Sequence, residues 1–214
     1  DVVVVAGDTA TVPTGQGTFA SRQSVNAGSS IHLAAKRVRE KALKIAAHIL
    51  EASEQDLELA GGFARVKGVK EMSVSLSQIA HAVAGTPGYA LPGGIDPGLE
   101  AMENFQPETA TYANGSHGVE LEVDPETGAV RLLKYLVVHD SGRLINPLIV
   151  DGQVQGGVAH GLGNALFERM AFDDDAQPLT TTLAEYLLPG APDIPNISIV
   201  HHESPTERNP LGVK

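Results

Sequence analysis

The chain has 214 residues and a formal net charge of −11, which argues against nucleic acid and anionic membranes as partners, because phosphate binding requires clustered Lys and Arg. Hydrophobic residues make up 42% and aromatic residues only 4%, so a core must be built from Val, Ile, Leu and Ala. The absence of Cys excludes disulfides, thiolate catalysis, zinc–thiolate sites and iron–sulfur clusters within this chain, and no apolar run reaches the roughly 18 residues of a membrane span.

The first fifty residues predict a strand, a polar loop and a long helix. A β-branched run over 1–6 predicts a buried strand, and 8–28, rich in Thr, Ser, Gly and Asn, predicts a loop. A helix is expected over about 29–52. Its apolar residues recur at spacings of four and three on one face: Val38, Ala42, Ile45 and Ile49.

The next segment predicts a small hairpin and a second helix. A short strand within 53–60 turns at Gly61-Gly62 into 63–66, and a helix follows over 77–84. The residues expected on its buried face are Ile79, Ala80 and Val83. Residues 85–98, rich in Gly and Pro, predict a connection.

The second half contains the strongest local pattern. Val119, Leu121 and Val123 alternate with polar residues, and the turn 124–128 leads into an apolar run over 130–138, which predicts a β-hairpin. A helix from Pro147 to about Arg169 and a short strand over 197–200 follow. The fold class is therefore α+β, with mixed helices and β-hairpins.

The loop over 14–24 is the first candidate site. Gly15 and Gly17 allow tight bends, and donors at 21–24 precede a helix N-terminus. Backbone amides, the helix dipole and the Arg22 guanidinium together favour phosphate. From the residues alone, an ordinary polar loop that ends in a helix cap is the favoured interpretation, because the spacing does not match the dinucleotide fingerprint.

The second candidate is the His139-Asp140 pair at the end of the hairpin. A catalytic interpretation makes His139 a base oriented by Asp140. Adjacent residues on a strand point to opposite faces, which favours a structural role for both. Asn146-Pro147 then fits an N-cap followed by Pro at the first helical position.

Two further segments carry polar groups of interest. The helix over 152–161 holds four Gly within ten residues together with the amide of Gln153, which suits either a flat heterocycle or close helix–sheet packing. His160 by itself is expected to be structural. His201-His202-Glu203 is a weak metal candidate, because consecutive residues at a strand end rarely supply a full ligand set. We therefore predict no protein ligand to a metal.

Taken together and in this order, these segments indicate a protein family much more specifically than any one segment does. Their order resembles the C-terminal portion of the large, molybdenum-binding subunit of the xanthine dehydrogenase, aldehyde oxidase and carbon monoxide dehydrogenase family, the molybdenum hydroxylases. The resemblance covers essentially the whole chain. It rests on residues 7–9 (GDT), 17–22 (GTFASR), 123–128 (VDPETG), 139–147 (HDSGRLINP), 152–157 (GQVQGG) and 209–214 (NPLGVK).

The resemblance implies a molybdenum ion held by a molybdopterin, as the cytosine dinucleotide, with iron–sulfur clusters and FAD on partner subunits. Ala20 would lie nearest the metal, and Gln153 beside the molybdenum and the pterin. The implied cofactor-binding residues are Gly17, Thr18, Ala20, Ser21, Arg22, Gln23 and Gln153, with Gln153 also assigned to catalysis. Ser141 and His160 depart from the usual residues at their positions, and this loosens the subfamily assignment.

The family's general-base Glu is expected just beyond Lys214. The chain also opens within a run of Val and lacks an initiator Met, so we expect residues 1–214 to be a part of the molybdopterin-binding domain that is truncated at both ends. This chain alone is therefore expected to be inactive.

For the parent protein the resemblance implies oxidation of an aldehyde or a heteroaromatic compound with oxygen from water. The implied partners are the remainder of the large subunit, an iron–sulfur subunit, an FAD subunit and a small-molecule substrate, without nucleic acid or membrane. The expected location is cytoplasmic, with the periplasm as the other option. The alternative function is a non-catalytic half-domain or anion-binding module that only completes an assembly.

Overall fold

The computed structural model describes residues 3–15, 17–85 and 91–214, which divide into two compact units. The first unit comprises 1–108 with 209–211, and the second comprises 109–208 with 212–214. Within the described residues, three α-helices and two three-stranded sheets confirm the predicted α+β class. The helices are α1 (Ser29–Leu50), α2 (Leu76–Val83) and α3 (Pro147–Leu166), and the strands are β1 (Leu57–Ala60), β2 (Phe63–Val66), β3 (Val69–Ser75), β4 (Asn114–Val123), β5 (Val130–Asp140) and β6 (Ile197–His201).

The core of the first unit lies between α1, α2 and the antiparallel sheet of order β1-β2-β3. As predicted from composition, it is aliphatic: its buried members are Ala42, Leu43, Ile45, Ala46, Leu57, Ala64, Val74, Ile79, Ala82 and Val83. A capping box fixes the start of α2, because Ser75 Oγ accepts from the Gln78 amide at 3.1 Å and Gln78 Oε1 accepts from the Ser75 amide at 2.9 Å.

The predicted strand over 1–6 is wrong for its described part. Residues 1–2 lie outside the described residues, whereas 3–6 adopt no regular structure, and Val3, Val4 and Val5 are 52–88% exposed. None of the strands in the described chain pairs with this segment. A run of Val has β propensity, but without a neighbouring strand it gains neither hydrogen bonds nor burial.

Both predicted helices of this unit are confirmed, with errors at their faces and ends. Ile49 is 40% exposed and Ala80 is exposed, whereas Leu43 and Ala82 are buried. In each helix the buried face is therefore rotated about the helix axis from the face that the periodicity predicted. Helical backbone also begins earlier than expected, with a π-turn over Ser24–Gly28 within the predicted loop.

Strand β3 was not predicted from the sequence. Only Val74 of its seven residues is buried, so the strand lacks the alternation of apolar and polar residues that indicates a half-buried strand. The predicted connection 85–98 is partly described: residues 91–98 form turns, and 86–90 lie outside the described residues.

The second unit is built on a mixed sheet of order β4-β5-β6. The predicted hairpin is confirmed as the antiparallel pair β4–β5, with Val123 opposite Val130, and β6 adds in parallel with Ile197 opposite Tyr135. Asn146 caps α3 as expected, its side chain accepting from the Ile149 amide at 3.4 Å. No helix in the described part of the chain combines the length and the apolar character needed to cross a membrane.

Candidate functional site

The loop before α1 holds six of the seven predicted site residues on an exposed surface of the first unit. Its backbone is left-handed at Gly17 (φ 79°), Ala20 (φ 53°) and Ser21 (φ 55°). Two adjacent non-glycine residues in this region cost on the order of 1–3 kcal/mol each, and such strain clusters at ligand-binding segments. Within the loop, Thr18 Oγ1 donates a hydrogen bond to Gln23 Oε1 at 3.2 Å.

Arg22 is oriented within this loop by an aromatic ring. Its Cζ atom lies 3.7 Å from the centroid of the Phe19 ring, a cation–π contact, while Phe19 remains 55% exposed. The ring supports one face of the guanidinium plane, and a guanidinium binds anions through the N–H groups at its edge. Gly17, Thr18, Ala20, Ser21, Arg22 and Gln23 are thus brought together on one loop.

Two buried polar side-chain atoms near the start of the helix that follows this loop lack hydrogen-bond partners among the described residues. Asn26 Oδ1 and Ser29 Oγ are buried and have no hydrogen-bond partner among the described residues. Leaving a buried polar group unpaired costs about 1–3 kcal/mol. Leu211 packs here as well, since a Cβ atom on Gly28 would lie 3.0 Å from its Cδ1. Leu211 therefore packs against the π-turn that leads into α1.

Gln153, the seventh predicted residue, belongs to the second unit and is exposed on α3. It lies three and four residues before Gly156 and Gly157, which places all three on neighbouring positions of the helix surface. A Cβ atom built on Gly152, Gly156, Gly157 or Gly161 would meet nothing within 4 Å. We call these four residues the glycine face of α3.

Gly163 on the same helix differs from these four glycines, because it packs closely against neighbouring side chains. A Cβ atom there would lie 3.2 Å from Pro189 Cδ and closer still to the Glu168 carboxylate. On its other side α3 is tied to the sheet, because His201 Nε2 and Asp151 Oδ1 are 2.6 Å apart, and Val158 is buried. The glycine face therefore does not serve helix–sheet packing within the described residues.

An open groove borders the glycine face. It has a volume of about 400 Å³ and separates one edge of α3 from the chain that enters β6. Its lining residues are Gly152, Gln155, Gly156, Ala159, Ile194, Pro195, Asn196 and Ile197. Gln153 is not among them, so its amide is presented on the adjoining part of the helix surface.

His139 and Asp140 do not act as a pair. The His139 ring faces the His201 ring at 6.4 Å, and burial, followed by the nearby His201, lowers the pKa of His139. The Asp140 carboxylate instead accepts hydrogen bonds from Lys214, Ser204 and the Gly142 amide. The structural interpretation that we favoured for these two residues is supported by this geometry.

The weak metal candidate at His201-His202-Glu203 is also engaged structurally. Besides the contact between His201 and Asp151, Glu203 Oε2 accepts a hydrogen bond from the Leu144 amide at 3.0 Å. Within the described residues no group of three or more His, Asp or Glu side chains is placed to hold a metal ion.

Sequence comparison identifies the family. The family model of the molybdopterin cofactor-binding domain matches residues 1–195. The chain belongs to this family. The resemblance inferred from the sequence motifs is thereby confirmed, and the two candidate elements, the loop before α1 and the glycine face of α3, are elements of a molybdopterin cofactor-binding domain.

Relatives of the chain in this family include the nicotine 6-hydroxylase large subunit of Paenarthrobacter nicotinovorans, 38% identical over 213 residues, and the carbon monoxide dehydrogenase large chain of Hydrogenophaga pseudoflava, 36% identical over 213 residues. Each match covers 100% of this chain and 26% of the relative. Reconstituted carbon monoxide dehydrogenase from Oligotropha carboxidovorans superposes with a TM-score of 0.85 at 32% identity, over 96% of this chain and 25% of that chain. The chain thus spans about a quarter of the length of these proteins.

Sequence reasoning missed the role of Asp140 and Lys214. These residues are 74 positions apart, and nothing in either local sequence indicates the other. The available signal was Gly142 and Gly212, because a glycine two positions from each charged residue allows the two backbones to approach closely.

Proposed function

We propose that this chain supplies part of the molybdopterin dinucleotide site in the catalytic subunit of a molybdenum hydroxylase, which oxidises an aldehyde or a heteroaromatic compound with water-derived oxygen. Residues 1–214 would form the C-terminal portion of the molybdopterin-binding domain. The glycine face of α3 carries the proposal. Four glycines within a helix cost roughly 4 kcal/mol relative to Ala, at about 1 kcal/mol each. A Cβ atom at each of them would meet nothing within 4 Å, so packing among the described residues does not require glycine there.

The glycine face fits a flat, polar heterocycle. Without Cβ atoms, the helix backbone is open to van der Waals contact along one side of the ligand, and Gln153 stands at the margin of that surface. Its amide offers both a donor and an acceptor without adding charge, as the edge of a pterin requires. Gln153 would therefore orient the cofactor and tune its reactive end.

The loop before α1 fits the dinucleotide phosphates. Arg22, held against Phe19, would donate to phosphate oxygens, and the strained left-handed backbone at Ala20 and Ser21 is typical of a ligand-binding segment. Gly17, Thr18 and Gln23 would shape the same loop. The residues present therefore suit a phosphate-bearing cofactor of the kind that the family binds.

When bound, the molybdenum cofactor supplies the two-electron redox chemistry. The residues of this chain hold and orient it, whereas the general-base Glu would follow Lys214 in the parent protein. Electrons would leave through iron–sulfur clusters to FAD on partner subunits. We place the assembly in the cytoplasm, with the cofactor as its cytosine dinucleotide.

The decisive experiment is Arg22→Ala in the complete subunit, purified with its partners. A charge-assisted hydrogen bond to phosphate contributes about 1.5–3 kcal/mol, so cofactor binding should weaken by roughly tenfold to a hundredfold. Molybdenum per subunit and the nucleotide released by acid hydrolysis measure the change. Arg131→Ala is the matched control, because Arg131 is exposed and pairs with Glu122 on the hairpin. Unchanged molybdenum and nucleotide contents in Arg22→Ala would refute the assignment.

A further inference from the structure

An ionic cluster connects the end of β5 with residues 212–214 of the second unit. Lys214 Nζ donates to Asp140 Oδ2 at 2.7 Å and to Ser204 Oγ at 2.6 Å, and Ser204 Oγ donates to the same Asp140 oxygen at 2.5 Å. The Lys214 and Asp140 side chains are only 15% and 13% exposed. We call these three residues the Asp140 cluster.

The Asp140 carboxylate is fully used by this network. Its second oxygen, Oδ1, accepts from the Gly142 amide at 2.8 Å and from the Ser204 amide at 3.2 Å. Burial by itself would raise the pKa of Asp140, but the hydrogen bonds from Lys214, Ser204 and Gly142 lower that pKa far below its usual range. A carboxylate with four donors has little remaining capacity to accept a proton from a substrate, so its role is to hold its neighbours.

The backbones on either side of the cluster are locked together. The Arg143 amide donates to the Gly212 carbonyl at 2.9 Å, and the Lys214 amide donates to the Ser141 carbonyl at 2.8 Å. Between these bonds Gly142 pairs with Val213, which is 3% exposed. Residues 141–143 are thereby fixed by main-chain bonds and by the Asp140 cluster together.

This fixed segment leads directly into α3. Residue 143 is followed by Leu144, whose amide is held by Glu203, and then by Asn146, the cap of the helix. Gln153 comes seven positions after that cap. A displacement at 141–143 would therefore move the beginning of α3, with Gln153 and the glycine face on it.

We propose that Asp140 and Lys214 are positioning residues that hold the start of α3 so that its glycine face and Gln153 receive the cofactor in one geometry. This proposal rests on the proposed function. A buried ion pair is a poor source of net stability, because desolvation offsets most of the attraction. The ion pair instead fixes the geometry of the backbone around it. Lys214 can donate to both Asp140 and Ser204 only when residues 212–214 lie in this register beside Asp140.

The test compares Asp140→Asn, Lys214→Met, the double variant and Lys214→Arg in the purified complete enzyme. The readouts are molybdenum and nucleotide per subunit, the rate of cofactor loss, hydrogen exchange over 141–153 and the melting temperature. Both single variants should lose cofactor on the order of 10- to 100-fold faster, as is typical when residues that orient a site are changed, with faster exchange over 141–153. Lys214→Arg, which keeps the charge, should retain most of the cofactor.

The double variant separates positioning from stability. It removes the unpaired buried charge, so its melting temperature should recover while cofactor loss stays fast. The control pair is Glu120→Gln with Lys134→Met, an exposed ion pair of the hairpin at 2.9 Å, which should change nothing.

Two results would overturn the proposal: wild-type cofactor retention in both single variants, or recovery of retention together with melting temperature in the double variant. A wild-type enzyme without molybdopterin would instead refute the proposed function. Hydrogen exchange over 141–153 would then still report whether Asp140 and Lys214 hold the start of α3, and unchanged exchange would refute that part as well.

Discussion

Replacing Gly142 by Ala should open the contact between residues 141–143 and 212–214. Gly142 has a φ of +73°, and a Cβ atom there would lie under 3.0 Å from the Gly212 carbonyl oxygen and 3.1 Å from the Lys214 amide nitrogen. These neighbours are backbone atoms, which cannot rotate away as a side chain does. Gly128→Ala is the matched control, because Gly128 has a φ of +74° but nothing within 4 Å.

The expected magnitude follows from two contributions. A left-handed Ala costs about 1–2 kcal/mol at either position. At Gly142 the displaced Gly212 carbonyl also loses hydrogen bonds from Arg143 and Thr206, worth about 0.5–1.5 kcal/mol each. Gly142→Ala should therefore cost about 2–5 kcal/mol, and Gly128→Ala about 1–2 kcal/mol. The difference of roughly 1–3 kcal/mol corresponds to a factor of about 5–150.

Amide hydrogen exchange measures this difference locally. In the complete subunit carrying Gly142→Ala, the amides of Arg143 and Lys214 should exchange faster, because both donate across the displaced contact. In Gly128→Ala the same two amides should keep wild-type exchange, while the Asp124 amide, which donates to the Ala129 carbonyl at 2.9 Å, exchanges moderately faster. Equal, small effects in both variants would show that the close approach at Gly142 is not a constraint.

Two further predictions concern α3. Gln153→Ala should leave the melting temperature nearly unchanged, because the side chain is exposed, while turnover falls tenfold or more, on the order of 1.4 kcal/mol of barrier; a large loss of stability with normal turnover per folded molecule would instead identify a packing residue. Gly156→Ala should stabilise the cofactor-free protein by about 1 kcal/mol and lower the molybdenum content of the complete enzyme, whereas Gly163→Ala should destabilise the protein, because its Cβ would displace the Glu168 carboxylate and press on Pro189. Wild-type molybdenum content in Gly156→Ala would rule out this surface as a cofactor contact.

Sequence patterns were sufficient to predict the features whose causes are local. The turn over 124–128 and the alternation before it predicted the hairpin, because turn chemistry and side-chain alternation act over about ten residues. Asn146 and Pro147 predicted the start of α3 for the same reason, since a cap bonds only to the next turn. The linear order of motifs was also sufficient for the family, which does not depend on knowing the contacts.

The tertiary structure decided which surfaces are buried and which distant residues meet. Val3 and Val4 have the composition of a strand, yet they are exposed because strand formation requires a neighbour that sequence does not name. The buried faces of α1 and α2 differ from the faces that periodicity predicted. The position of the rest of the core, and not periodicity alone, determines which helix residues are buried. Lys214 meets Asp140 across 74 positions because the folded path of the chain brings them together. A local sequence constrains the dihedral angles of a few residues, whereas such a pair depends on every segment between them.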